Sequence, residues 1–526
     1  MFFERACDYR TEDWNAPAHW WSYQGSKLAA AGSLSGIGWG SYIIPRASAL
    51  KTGDMVQRVA TVVGSGGKGI IYYNFGPNYM FPGNCWSANT SALAVEISDA
   101  HALLAKAERL LWEGVRPAAS VAILAPRSAT PWDDLCSLYD DTCIFGKRGN
   151  RSRENLGASG KCCFTPSNIM DSTNVDQAIR TVDYLAEVYG VYHALAQVHN
   201  TPTTWIDETA VVSNASTMQA LSTLVLTEPN IPTATVAPIM DWVHAAGHLV
   251  VICAAGVLDE YNQPAPLLWQ GLGLLKGGAG STSPEDFSKW APASRINVHV
   301  AGELILAANG TGSTPELMDL TVAAYGRRCV SGLPPIAANE DSTVLATFSD
   351  GTAAVSSTTV GHGSVVYFSW LPGVSHLAAM EPSSRLPVPR APDLISDASK
   401  WLAAAVSLAR NPTAPTAAAA ANAPLVETPL LLSTDGAVVT VLDWRPHDAT
   451  WEQTLVLNVT LPFAPQSVES ALHGELHWAP VVPPRGGGFY GGLVKVEAPP
   501  STHGADFISF HRPKAEEEVA ATVGKE

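Results

Sequence analysis

Apolar positions in the first hundred or so residues switch between two periods, and the switches predict alternating strands and helices. Residues 20–31 suit a helix that stops at the Gly-rich turn 32–40. A short β-branched run at 41–44 ends at Pro45, and residues 54–63 repeat apolar side chains at helical spacing. A second strand follows at 70–73, and residues 2–6 suit a strand fragment. Between 97 and 112, Ala100, Leu103, Leu104, Ala107 and Leu111 recur on one side of an amphipathic helix.

After Pro117 the rhythm belongs to a second α/β region. A buried-type strand at 121–124 precedes a long helix at 175–199, with Leu185, Val188, Tyr192, Leu195 and Val198 along one side. Strands follow at 204–206, 224–226 and 249–253, and a helix at 237–246 is closed by Gly247. Strands alternating with helices imply a mostly parallel sheet covered on both faces. A β-rich end comes next, at 344–348, 353–356 and 364–369, with the turn Asp350-Gly351 between the first two. A helix at 394–408 leads into an Ala, Pro, Thr and Asn linker at 411–424. The strands at 430–433, 437–442, 454–459 and 493–496 then predict a small antiparallel β-sandwich.

The organisation predicted is α/β: a partial (β/α) barrel over 1–116, a flavodoxin-like domain over 117–410, the linker, a β-sandwich over 425–512 and a charged, disordered tail at 513–526. A complete barrel takes about 250 residues and one β/α unit about 30, so the first region holds roughly three or four units. Residues 134–173 read as a surface insertion, with four cysteines and the basic run Lys147, Arg148, Arg151 and Arg153.

Composition narrows the function classes. A hydrophobic share of 46% against 15% charged residues describes a chain with ample core. A formal charge of −16 argues against a nucleic-acid partner, which requires a basic face. No apolar run reaches membrane-spanning length, and the start MFFERACDYRTEDW lacks the apolar segment of a signal peptide. The 8 cysteines are too sparse for a disulfide scaffold, and five Asn-x-Ser/Thr sequons, at Asn89, Asn150, Asn214, Asn309 and Asn458, permit secretion without requiring it. The compartment stays open, and no cofactor or metal is called for.

Candidate chemistry gathers around residues 70–87, IIYYNFGPNYMFPGNCWS. A strand runs into a Gly- and Pro-built loop rich in aromatic side chains, which is how (β/α) barrels present binding residues at strand ends. Tyr73, Asn74, Phe75, Tyr79 and Trp86 are the candidate sugar contacts there, because flat rings suit the apolar faces of pyranoses; burial in a core explains the same aromatics. Thr11-Glu12-Asp13-Trp14 is the leading acidic motif: Glu12 and Asp13 are the candidate catalytic acids and Trp14 a substrate contact, with Glu4 and Asp8 behind them. A capped helix start, with Thr11 as cap, accounts equally for that motif. Cys253 ends the strand VVICAAG and invites comparison with a nucleophile elbow, although the flanking G-x-C-x-G pattern is absent and burial as a small hydrophobe is the simpler fate. The run His473-Gly474-Glu475-Leu476-His477 lacks the helical H-E-x-x-H arrangement of a zinc site.

The chain resembles the β-galactosidase-like enzymes of glycoside hydrolase family 42. GGKGIIYYNFGPNYMFPGNCWS is similar to their last barrel strand and ISDAHALLAKAERLL to the helix after it. RPAASVAILAP and HLVVICAAGVLDEYNQP resemble strands of their trimerisation domain, itself similar to class I glutamine amidotransferases, and DGTAAVSSTTVGHGSVVYFSWLPG its β-rich end. The resemblance implies carbohydrate as ligand or substrate, a homotrimer, and two strand-end glutamates about 5–5.5 Å apart for a retaining mechanism. Here the strand SYIIPRAS sets Pro45 and Arg46 where a glutamate belongs, so the catalytic pair is expected to be incomplete. Two readings follow: an enzyme whose other barrel half lies upstream, or a non-catalytic carbohydrate-binding and oligomerisation module.

Overall fold

The computed structural model describes residues 20–43, 54–72, 91–129, 180–274, 296–306, 320–325, 342–348, 353–376, 396–408, 417–445, 453–481 and 492–513, apart from positions 126, 183, 254, 262, 264, 266, 374 and 502. The chain divides into two compact units. Met1–Ala118 and Ala414–Glu526 together form the first, and Ala119–Thr413 the second. Each mixes helices with sheets, so the protein is a mixed α/β chain with several sheets.

The first unit opens with α1 (Trp20–Ser35), β1 (Gly40–Ile43), α2 (Asp54–Gly64), β2 (Gly69–Tyr72) and α3 (Ser91–Glu113). β1 and β2 pair in parallel, with Gly40 opposite Gly69 and Ile43 opposite Tyr72. Parallel neighbours need a crossover, and α2 lies within it. Lys68, just before β2, closes the far end of α3. Its Nζ donates to the carbonyls of Leu111 (2.5 Å) and Gly114 (2.9 Å), groups a helix C-terminus leaves without intrahelical donors. Burial holds that ammonium below the usual lysine range.

The second unit contains β3 (Val121–Leu124), β4 (Arg180–Val182), α4 (Tyr184–Tyr192) continued by a π-helix at His193–Val198, β5 (Thr203–Ile206), α5 (Glu208–Ser213), α6 (Ala215–Ala220), β6 (Thr223–Leu226), α7 (Thr233–His244), β7 (His248–Ile252) and α8 (Leu267–Gly271). β8 (Ile296–Leu306), β9 (Leu320–Tyr325), β10 (Ser342–Phe348), β11 (Ala353–Val360), β12 (Gly363–Phe368) and α9 (Asp397–Ser407) complete it. Its sheet has a parallel, doubly wound half in the order β12-β7-β6-β3-β5. Beyond β12 the sheet turns antiparallel through β11, β10 and β8, with β4 and β9 on β8. The runs VAIL, TLVL and HLVVI are buried at every position, as strands covered on both faces must be.

Two elements differ from the sequence reading. The helix expected at 175–199 starts only at Tyr184, and Arg180–Val182 instead pairs antiparallel with Ile296–Val298. Its apolar spacing begins at Leu185, so nothing in the preceding residues favours helix over a strand whose partner lies far along the chain. The expected linker at 411–424 holds a strand, β13 (Ala418–Ala421), although alanine has weak strand preference. The backbone of a distant segment, Leu457–Thr460, supplies its pairing.

The chain then builds an antiparallel sandwich from β14 (Val426–Glu427), β15 (Leu430–Leu432), β16 (Gly436–Asp443), β17 (Leu455–Leu461), β18 (Ser467–Ser470), β19 (Gly474–Glu475), β20 (Trp478–Val481), β21 (Gly492–Ala498) and β22 (Ala505–His511). One sheet is β13-β17-β21-β20; the other is β14-β16-β22-β18-β19 with β15 on β16. Val439, Val441, Leu457, Val459, Val496 and Phe510 meet between them in a core shared by both sheets. The outer face of β16 and β22 is covered by α2 and α3 of the same unit. Gln57 Nε2 donates to Asp443 O at 2.6 Å, Lys106 Nζ to Ala471 O at 2.5 Å, and Val115 and Leu432 exchange backbone bonds at 2.8 and 2.9 Å. Gly64 lies so close to Thr440 that a Cβ there would collide with its side chain. Among the described residues no helix is long and apolar enough to cross a membrane.

Candidate functional site

The sequence-derived candidates Glu12, Asp13, Trp14, Tyr73, Asn74, Phe75, Tyr79 and Trp86 lie outside the described residues, as do Glu4, Asp8, Pro45 and Arg46. The described neighbour of the aromatic loop is Tyr72, the last residue of β2. Its hydroxyl lies 2.9 Å from His101 Nε2 on α3, and the rings meet edge-on at 5.7 Å. Burial pushes that phenol well above its ordinary range, so it remains a neutral donor and acceptor. A phenol and an imidazole at the carboxyl end of a parallel strand can hold hydroxyl groups. Neither is a carboxylate, and together they do not make a hydrolytic pair.

Among the described residues, the densest polar chemistry on strand ends belongs to the second unit. In doubly wound sheets, ligands bind outside the carboxyl ends of the strands where the strand order reverses, here around β3 and β6. Three chain segments leave the sheet at this crest. After β5, Asp207 caps α5 by accepting from Ala210 N at 2.6 Å, and Glu208 follows it. After β3, Ser128 donates to Glu208 from its backbone N (2.9 Å, to Oε1) and its hydroxyl (2.6 Å, to Oε2). After β6, Thr227 donates to Glu228 Oε2 from N (3.2 Å) and Oγ1 (3.0 Å).

Glu228 is fully buried, and its Oε1 has no hydrogen-bond partner among the described residues. Burial is the main cause that raises its carboxyl to about 8; the charge of Glu208 adds to this, and the bonds from Thr227 oppose it. Glu208 is raised less, burial being countered by the two bonds from Ser128 and by the Arg127 guanidinium. Glu228 therefore holds its proton at neutral pH, close to a second carboxyl better supplied with donors, and among the described residues its Oε1 meets no acceptor. Two carboxyls driven apart in this way can act as an acid and an acceptor. Sequence reasoning passed over both. Their signal was the acidic residue set one or two places beyond each apolar strand, in TTWIDE and TLVLTE.

Cys253, weighed from sequence as a nucleophile, is fully buried, has φ +54° and is disulfide-bonded. A sulfur in a disulfide has no thiolate to attack with, so the amidotransferase-like chemistry is not available to it in this state. Asp259 and Glu260 serve local structure. Asp259 Oδ1 accepts from Tyr261 N (2.9 Å) and Gln263 N (2.8 Å), and Glu260 accepts from Thr233 N (2.9 Å) at the start of α7. His473 and His477 flank the short strand β19 rather than share a helix face. Among the described residues no group of three or more His, Cys, Asp or Glu side chains is placed to hold a metal ion.

No family model matches the sequence, and no curated protein matches it. Solved structures do. Gan42B, a GH42 beta-galactosidase from G. stearothermophilus, is 14% identical with a TM-score of 0.49, over 94% of this chain and 57% of its own. A beta-galactosidase from Bacillus circulans sp. alkalophilus is 12% identical with a TM-score of 0.48, over 93% and 58%. The polyextremophilic beta-galactosidase of the Antarctic haloarchaeon Halorubrum lacusprofundi is 10% identical with a TM-score of 0.47, over 94% and 56%. This chain is thus similar to GH42 beta-galactosidases along nearly all of its own length, and it spans 56–58% of theirs.

Proposed function

We propose that the chain is a glycoside-hydrolase-like, β-galactosidase-like protein that acts on or binds carbohydrate. The observation that supports this is the succession of architectures along one polypeptide. A parallel β–α–β–α segment comes first, then a doubly wound sheet with an antiparallel extension, then an antiparallel sandwich. That is the order of family 42, and residues 66–87 resemble its closing strand and rim. The inference is one of fold and position, so it reaches the substrate class and stops short of sugar and linkage. In this reading β1, α2, β2 and α3 are closing units of a barrel, the second unit is a flavodoxin-like, trimerisation-type domain, and the working assembly is a homotrimer. Tyr73, Asn74, Phe75, Tyr79, Trp86 and Trp14 grip the sugar, and Glu12 and Asp13 are the acids nearest to a catalytic role.

A second reading, a carbohydrate-binding and oligomerisation module without turnover, is favoured by the Tyr72–His101 pair, which offers hydroxyl recognition and no nucleophile. One set of measurements separates the two. Release of nitrophenol from a chromogenic β-galactoside, abolished in Glu12→Gln, supports the enzyme. Galactoside binding by calorimetry without turnover, lost in Trp86→Ala, supports the module. A chain that neither binds nor cleaves galactosides sinks both. Light scattering on the eluting protein tests the trimer.

A further inference from the structure

The second unit contains a file of buried imidazoles and hydroxyls that the proposed function leaves unused. His193 Nδ1 lies 2.8 Å from His376 Nε2, and both rings are fully buried. His376 Nδ1 lies 2.8 Å from Ser396 Oγ, which also accepts from Ser399 N at 3.1 Å as the N-cap of α9. Ser399 Oγ donates to Ser396 O at 2.7 Å, so its lone pair receives the N–H of His199 Nε2 at 3.1 Å. The file thus runs from partly exposed His199 to the interior, and it joins the π-helix, the helical residues Ser375 and His376, and the first turn of α9. A π-helical turn inside a helix is uncommon and often marks a working position. Close approach is built in, because a Cβ on Gly190 of α4 would collide with the backbone of Gly373, and one on Gly373 with Glu187 and Val191.

We propose that the His193–His376 pair is an acid-sensitive latch, whose protonation releases His376 with its neighbour Ser375, and the start of α9, from the π-helix while the parallel sheet stays folded. The N···N contact uses one N–H and one lone pair, so the neutral pair fits it and a doubly charged pair sets two N–H groups head to head. A single added proton has to be held as a buried charge. Among the described residues, these titratable and polar groups face the pair. On α4, Glu187 Oε1 accepts from Gly373 N at 2.9 Å, and Tyr189 lies edge-on to His193 at 5.8 Å. On α9, Asp397 is bonded to Lys400 at 2.7 Å, and the charge of Lys400 acts against protonating His199. Burial first, then His193 and His199, hold His376 far below the ordinary imidazole range. The opened segment takes up protons near pH 6.5 and the closed one does not, so opening becomes more favourable as pH falls below that value.

The test is hydrogen exchange on the full chain, with rates corrected for the intrinsic effect of pH. Between pH 7.5 and pH 5.5, protection at residues 194–200 and 397–407 should fall about tenfold, as one proton acting over about one pH unit requires, while 223–226 and 248–252 keep theirs. His376→Gln should remove the pH dependence, and His193→Gln should do the same if the first variant loses its sheet protection. Unchanged protection in the wild type, a loss spread evenly over the unit, or a pH dependence surviving in a folded variant would each overturn the latch. If neither variant folds, the wild-type series decides alone: a loss confined to 194–200 and 397–407 supports the latch, and any other pattern refutes it.

Discussion

Strands β16 and β17 belong to one sandwich and face one core, yet their outward sides live in different surroundings. β17 alternates: Leu455, Leu457, Val459 and Leu461 are buried, while Val456 and Thr460 are half-buried and Asn458 is exposed. β16 is buried at all eight positions. Its odd-numbered residues Ala437, Val439 and Val441 enter the sandwich core, and Val438, Thr440 and Leu442 lie on the side covered by α2 and α3. An antiparallel sheet commonly wets one face; covering both turns an alternating strand into a continuous apolar one. Helices α2 and α3 and the sandwich therefore stabilise each other. Neither can be removed without exposing an apolar face of the other.

That comparison can be broken most forcefully from the shared core. Phe510→Ala, on the inner face of β22, should cost about 3–5 kcal/mol of unfolding free energy in urea. The outer faces sharpen it. Val438→Asn puts an amide between β16 and the helices and should cost about 3 kcal/mol, whereas Val456→Asn on β17 should cost under about 1 kcal/mol. Equal costs would mean that the outer face of β16 is not sealed.

The second unit extends the contrast to titrating groups. Folded Glu228, raised to about 8, keeps a proton that the unfolded chain releases near pH 4.5. Its contribution to stability is therefore full at acid pH and is lost as pH rises through that interval. Replacing it with glutamine should flatten the decline, by roughly 3–4 kcal/mol between pH 5 and pH 8 in a series of urea melts. A profile unchanged by Glu228→Gln would show that its carboxyl is not buried as described. Asp207→Ala should have the smallest effect, about 1 kcal/mol, from loss of the α5 cap.

The legible parts of the sequence were those with their own period. The helix at Ser91–Glu113 and the strands at Val121–Leu124, Thr223–Leu226 and His248–Ile252 were readable because a repeat of apolar residues fixes an element wherever its partners lie. β8, β9 and β22 were passed over, since their runs are interrupted by polar or small residues and their pairing comes from strands far away in the chain. The candidate site divides in the same way. Aromatics in a loop after a strand announce themselves by composition, so residues 73–86 were named from sequence. Glu208 and Glu228 carry no motif, and only the ordering of β3, β5 and β6 side by side makes neighbours of them.

By itself, then, the sequence determined the elements with a strong apolar period and the α/β character, because backbone preference and side-chain period are properties of short stretches. Tertiary structure alone decided that an alanine run becomes an edge strand, that β16 has no wet face, and that His193 and His376 share a hydrogen bond across 183 positions. Burial and pairing depend on what lies opposite, and no window along the chain contains that information.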